Sequence, residues 1–218
     1  MKGIDSSDET SRNIGFGKNR IETLTDGIFA FSMTLLVTGI DIPQVQSEFN
    51  ATSAYQVLHD IFPDLIHYIL AFLIIAVFWY IHHTQFHKVR SVDLKLLWIN
   101  VITLLFVALI PFSTSLVGDY SNSNLAHIVF ESNLLITGLL IYWQWSYASA
   151  NRHLIDPTTS PGQIRNGKIR ALIVPGLSAV GIVLALFHNN LSTLVYLLAP
   201  VLLVLMYMKE ENIHFISD

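Results

Sequence analysis

The sequence predicts an all-α membrane protein with six transmembrane helices, and three observations carry that expectation. Of its 218 residues, 52% are hydrophobic and only 13% charged, where a soluble domain carries about a quarter charged residues. The apolar residues run in long blocks rather than amphipathic stripes, and six blocks approach the ~20 residues that a helix needs to cross a bilayer core. All 12 Lys and Arg fall in alternate connections between those blocks.

The first span is read over Glu22–Pro43, the second over Ile61–Ile81 and the third over Leu96–Val117. The fourth follows at Leu125–Trp145, the fifth at Ile169–Phe187 and the sixth at Leu191–Met208. The residues before the first span are polar, so that span is expected to be a retained signal anchor rather than a cleaved leader. Pro111, Pro175 and Pro200 fall inside the third, fifth and sixth spans and are read as kinks, which membrane helices tolerate where neighbours satisfy the freed carbonyls. Between spans four and five, Asp156-Pro157, Pro161-Gly162 and Asn166-Gly167 form a turn cluster. Tyr142, Trp143, Trp145 and Tyr147 read as an interfacial aromatic belt.

Lys2, Arg12, Lys18 and Arg20 precede the first span, and Lys88, Arg90 and Lys95 lie between the second and third. Arg152, Arg165, Lys168 and Arg170 lie between the fourth and fifth, and Lys209 follows the sixth. The other connections hold no cation. Positively charged loops stay in the cytoplasm, so both termini are expected there, in a multi-pass protein of the cell membrane. With no cysteine in the chain, disulfides and thiolate metal sites are excluded. No Gly-rich phosphate loop and no basic domain for nucleic acid occur.

The first span is too polar for lipid. Arg20, Glu22, Thr23, Thr25 and Asp26 crowd its first half, and Ser32, Thr34, Thr38 and Asp41 follow. Polar groups at membrane depth face a protein interior or water, so this helix is expected at the centre of the assembly. At about 100° per residue, Ile28, Phe31, Thr34, Leu35 and Thr38 share one stripe, while Asp26 lies about 140° from Phe31. Thr25 and Ser32 also point off the stripe. One face thus alternates bulky apolar groups with hydroxyls, and the other carries groups suited to binding neighbouring helices. Threonines that bond their own preceding carbonyls would account for the stripe as packing alone.

Other constellations are weaker. His82, His83 and His87 cluster at the end of the second span; the i, i+4 pair has metal-ligand spacing, but no cysteine or H-E-x-x-H accompanies it and a structural role is favoured, with no metal expected. Gly176-Leu177-Ser178-Ala179 has the look of a serine protease motif and is better explained by close helix packing. Glu131 in the fourth span needs a partner, because a carboxylate at membrane depth is costly; a proton relay and a hydrogen-bonded buried acid both remain open.

The run from Arg20 through Leu24, Thr25 and Asp26 into Gly27-Ile28-Phe29-Ala30-Phe31-Ser32-Met33-Thr34-Leu35 resembles the first-helix signature R-x-x-x-F-S-D of the transmembrane protein 175 family of potassium channels. Leu24 stands at the aromatic position and Thr25 at the serine, keeping its hydroxyl. Trp79-Tyr80-Ile81-His82 is similar to the family's W-x-x-H. Asn100 followed by Pro111-Phe112-Ser113 is similar to its third-helix N…P-[FY]-[ST] run. The likeness covers helices one to three; helices four to six agree in hydropathy alone.

The resemblance implies a passive channel favouring potassium over sodium, built as a homotetramer with first helices around a central pore and without the usual T-V-G-Y-G filter. On that reading residues 1–19 form a cytoplasmic segment and 20–218 a single six-helix channel domain. Ile28, Phe31 and Leu35 are then the pore-lining and gate candidates, with Leu35 as a constriction that closes by dewetting. Thr38, with Thr34 second, would supply a ring of hydroxyl oxygens for selectivity. Arg20, Thr25, Asp26, His82, Trp98 and Asn100 are assigned to a network holding helix one against helices two and three. Asp41 or Glu48 would concentrate cations at the outer mouth. The partners implied are lipid, K+ and copies of the same chain, with no cofactor. A secondary transporter or proton-coupled carrier is the alternative, which would require inverted repeats and interrupted helices at matching positions. An intramembrane enzyme is disfavoured because no nucleophile–base pair is evident.

Overall fold

The computed structural model describes residues 17–40, 51–187 and 192–217, and all regular structure among them is helical apart from one isolated bridge between Val89 and Ile155. Helix α1 (Lys18–Leu35) tightens into a 3-10 turn over Leu36–Gly39. A short α2 (Ala51–Asp60) leads into α3 (Phe62–Phe86), α4 (Leu94–Asp119) and α5 (Asn124–Ala150). Then come α6 (Pro161–Ala171), α7 (Ile173–Leu186), a 3-10 segment over Ser192–Leu197 and α8 (Leu198–Ser217).

Local chemistry sets the helix starts. Asp93 caps α4 by accepting from the Leu96 N–H at 2.8 Å, which satisfies an otherwise unpaired first-turn donor. Ser160 and Gln163 form a reciprocal capping box on α6, with Pro161 in the first turn where no N–H is needed.

Among the described residues, five stretches are long and apolar enough to cross a membrane: Lys18–Gly39, Phe62–Phe86, Leu94–Asp119, Asn124–Ala150 and Pro161–Leu186. They correspond to the first five expected spans. The first begins earlier than the expected Glu22, and its expected end at Pro43 lies outside the described residues. The sixth expected span is represented by a shorter apolar stretch, Leu194–Met208, that starts as 3-10 helix.

Proline accounts for the irregular spans, and not always as expected. Pro111 sits inside α4. There the Asn133 amide of α5 lies 3.3 Å from both the Phe106 carbonyl and the Ile110 N–H, so a side chain from the next helix serves backbone groups in the turn before the proline. Pro175 and Pro200 instead lie in the first turns of α7 and α8. A missing N–H costs nothing in a first turn, so the fifth span breaks at Leu172 and the sixth changes from 3-10 to α at Leu198.

The main core is a continuous apolar layer shared by α1, α3, α4, α5 and α7, built on Phe29, Ile74, Phe78, Val107, Phe130 and Val174. A second cluster ties the cation-rich helix ends together through Ile21, Phe86, Leu96, Trp145 and Ile155. Around it the α3–α4 and α5–α6 connections pair: Arg90 N–H donates to the Leu154 carbonyl at 2.7 Å and Asp156 N–H to the Lys88 carbonyl at 2.9 Å. Trp145 is only 1% exposed and donates to the Ile164 carbonyl at 3.0 Å, so it belongs to this core rather than to the aromatic belt expected of it. Val180, Val183, Val201 and Leu205 stay exposed along α7 and α8, as a lipid-facing surface requires.

Candidate functional site

Helix α1 divides into two faces. Ile21, Thr25, Phe29, Ser32 and, in the 3-10 turn, Leu36 are buried against the rest of the chain. Leu24, Gly27, Phe31, Thr34 and Thr38 are exposed on the other side. Their spacing of three and four residues makes a continuous seam, and Phe31 is 61% exposed although it is an aromatic ring in an apolar span. Ile28 and Leu35 are half-buried at the edge of this seam.

The hydroxyls along the seam are oriented by the backbone. Thr34 Oγ1 donates to the Phe31 carbonyl at 2.8 Å and Thr38 Oγ1 to the Leu35 carbonyl at 2.7 Å. Each hydroxyl hydrogen is thereby committed to the helix, which leaves acceptor lone pairs on the oxygen. Thr38 lies in the 3-10 turn, where the advance is about 120° per residue and side chains three apart eclipse. Gly39 then brings the chain against α4, where an added Cβ would collide with the Ser115 hydroxyl.

On the buried face, polar groups converge from four helices. Asn100 of α4 is fully buried. Its Nδ2 donates to Thr25 Oγ1 at 3.1 Å, and its Oδ1 faces His82 Nε2 at 2.9 Å and Gln144 Nε2 at 3.2 Å. Because an amide oxygen can only accept, the imidazole donates through Nε2. His82 is further held by Phe86, whose ring stacks on it at 4.6 Å. Nearer the surface of the chain, Trp79 Nε1 donates to Asp26 Oδ1 at 2.9 Å, and His83 stacks on Trp79 at 5.4 Å.

The structure therefore brings together Thr25, His82 and Asn100 from the expected network and joins Asp26 to α3. Two expected members stand apart. Trp98 is 58% exposed on α4, and Arg20 is exposed with no partner among the described residues. Trp98 precedes Asn100 by two residues, about 200° round the helix, so it faces away from α1; Trp79 is the tryptophan that reaches it. Gln144 was missed, although an amide between Trp143 and Trp145 in an apolar span is a signal of the same kind as Asn100. Asp41 and Glu48 lie outside the described residues. Among the described residues no group of three or more His, Asp or Glu side chains is arranged to hold a metal.

Glu131 has found its partner elsewhere. It is fully buried on α5 and accepts from the Tyr196 hydroxyl, which lies 2.9 Å from Ser178 Oγ. Gly181 makes room for it, since a Cβ there would overlap the carboxyl. Ser178 is thus a partner in a helix-packing contact, and this cluster lies apart from the α1 seam.

Comparison with known proteins falls on the same helices. The model of the family "Endosomal/lysosomal potassium channel TMEM175" matches residues 20–111, which span α1, α3 and most of α4. A protein named a potassium channel from Streptomyces collinus is 28% identical over 81% of this chain and 90% of its own length. A second so named, from Chamaesiphon minutus, is 28% identical over 75% of this chain and 85% of its own. The endosomal/lysosomal proton channel TMEM175 of Gallus gallus is 26% identical over 49% of this chain, which corresponds to 22% of that longer protein. Among solved structures, a lysosomal potassium-selective channel TMEM175 homologue from Chamaesiphon minutus superposes with a TM-score of 0.73 at 25% identity, over 87% of this chain and 97% of that one. The potassium channel MtTMEM175, solved with a nanobody fusion, shares the fold with a TM-score of 0.56 at 18% identity. With the Asn100 and Asp26 contacts inside the matched segment, and likeness to bacterial relatives over nearly their full length, this chain is similar to the TMEM175 potassium channels.

Proposed function

We propose that the chain is one subunit of a potassium channel in which four copies place α1 around a central pore. One observation carries the reading. The seam of Leu24, Gly27, Phe31, Thr34 and Thr38 is uncovered, while the same helix is fastened to α4 by the buried Asn100–Thr25 hydrogen bond and to α3 by the Trp79–Asp26 bond. A helix held on one side, with hydroxyls at membrane depth on the other, suits a surface that meets water and symmetry-related copies rather than lipid. The match to the family model and the names of the bacterial relatives support potassium as the permeant ion.

In this arrangement Leu35, with Ile28 and Phe31 below it, forms an apolar constriction that gates by dewetting. Rings of Thr38 and Thr34 hydroxyl oxygens, with their hydrogens turned to the backbone, offer acceptors to a partly dehydrated cation. Asp26 and the Asn100 network hold the helix in register. The α8 segment completes a sixth span, which puts both termini in the cytoplasm of a cell membrane by the positive-inside rule. A carrier is not favoured: spans five and six are interrupted while their counterparts, spans two and three, run unbroken, so these spans lack matching breaks in the two halves.

The test is reversal potential in mixed K+ and Na+ with the protein in liposomes. Thr38→Ala is expected to move it toward the non-selective value. Unchanged selectivity in both Thr38→Ala and Thr34→Ala would remove the ring. Leu35→Ala is expected to raise current, and uptake against a gradient coupled to protons would replace the channel by a carrier.

A further inference from the structure

At the end of the bundle opposite the cation-rich one, a small cavity of about 10 Å³ lies between the 3-10 turn of α1 and the facing ends of α3 and α4. Leu36 and Gly39 form its near wall, while Asp64 and His67 of α3 and Thr114 and Ser115 of α4 supply its polar groups. Leu36 is buried and Thr38 is exposed, so the cavity sits behind the turn, on the side away from the seam. Its volume suits about one water molecule.

The groups around it are closely set. Gly39 lies so near the Ser115 hydroxyl that a Cβ would overlap it, and a Cβ added at Gly118 would lie 3.3 Å from Asp64 Oδ1. Thr114 Oγ1 donates to the Ile110 carbonyl at 2.9 Å, which leaves its lone pairs as acceptors. His67 Nδ1 is buried and has no hydrogen-bond partner among the described residues. A buried ring nitrogen without a partner is costly, and a water that bridges about two to four polar neighbours removes that cost. Asp64 and His67 are three residues apart, neighbours on one face of α3. Asp64 also stands in the first turn of α3, where a carboxylate suits the helix dipole. That role does not account for the imidazole beside it.

We propose that Asp64 and His67 are positioning residues for ion selectivity: with Thr114 and Ser115 they hold one water against the back of the 3-10 turn and so fix the depth of Thr38. The proposal rests on the reading of α1 as the pore wall. Thr38 Oγ1 donates to the Leu35 carbonyl, so its oxygen moves with the backbone of the turn. A ring that distinguishes cations by the placement of its oxygens needs them held to within about 0.5 Å by neighbours that are themselves hydrogen-bonded. Asp64 and His67 act through the turn and do not touch the ion.

Reversal potential in mixed K+ and Na+, with the full-length protein in liposomes, reports only channels that fold and conduct, so a loss of folded protein does not imitate the effect. Asp64→Ala, His67→Leu and Ser115→Ala are each expected to lower the K+/Na+ permeability ratio roughly threefold or more. Ser115→Ala, the smallest change, carries the test if the other two do not conduct. His67→Asn places an amide near the position of Nδ1 and is expected to restore most of the ratio. His67→Leu combined with Ser115→Ala should be no less selective than the more affected single variant, as for groups that share one network. Selectivity that changes in Thr38→Ala but in none of the three cavity variants would overturn the proposal and leave the pore reading standing. Silence in Thr38→Ala and Thr34→Ala as well would remove the ring and the proposal with it. Losses that add in the double variant, or a His67→Asn channel as unselective as His67→Leu, would also overturn the proposal.

Discussion

Asn100 makes three polar contacts from a site with no access to solvent, to Thr25, His82 and Gln144. Removing it would strand a hydroxyl, an imidazole N–H and an amide at once, and each stranded buried group costs about 1–3 kcal/mol. Asn100→Ala is therefore expected to lower the thermal unfolding temperature of the purified protein clearly, and more than Trp98→Ala, whose side chain is exposed. Asp26→Asn is expected to be milder than Trp79→Phe, because an amide oxygen still accepts from the indole while phenylalanine offers no donor; the same unfolding measurement ranks the two. These residues show how much of the site the sequence disclosed. Thr25, Asp26, His82 and Asn100 announce themselves as polar groups in apolar spans. Gln144 was hidden by its aromatic neighbours. Trp98 is close to Asn100 along the chain but about 200° from it round α4, so it faces away from α1.

At the scale of elements, each span is positioned by a few close approaches. Gly167 against Trp145 is the clearest, and Gly167→Ala is expected to destabilise the α5–α6 contact by roughly 1–3 kcal/mol, the usual cost of overpacking. Equal stability of the variant and the parent in thermal unfolding would contradict this. The breaks at Leu172 and before Leu198 follow from prolines in the first turns of α7 and α8. From the sequence a proline within an apolar run reads equally as a kink or a start. The choice depends on whether a neighbour serves nearby backbone groups, as Asn133 does in the turn before Pro111.

At the scale of the whole molecule, the uncovered seam on α1 predicts association through that face. The chain contains no cysteine, so single introduced thiols report contacts cleanly. Phe31→Cys and Thr34→Cys are expected to form covalent dimers of the chain in membranes under mild oxidation, whereas Val183→Cys on the outer surface of α7 is expected to remain monomeric. Cross-linking only at position 183 would place a different helix at the subunit contact. Orientation is testable in the same way: Arg165→Cys should react with a membrane-impermeant maleimide from the cytoplasmic side alone.

The sequence by itself determined the class of the molecule, the positions of five spans, the one-sided arrangement of cations and the exceptional polarity of the first helix. These are sums over roughly 20 neighbouring residues, and the cost of placing polar or charged groups in lipid makes them readable locally. Only the tertiary structure decided that Asn100 reaches Thr25 across 75 positions and Glu131 reaches Tyr196 across 65, that Trp79 rather than Trp98 meets Asp26, and that the fifth span is two helices. Such pairings depend on the depth and rotation of whole helices relative to one another, which local composition does not encode. They are set when the packed bundle must satisfy every buried polar group at once.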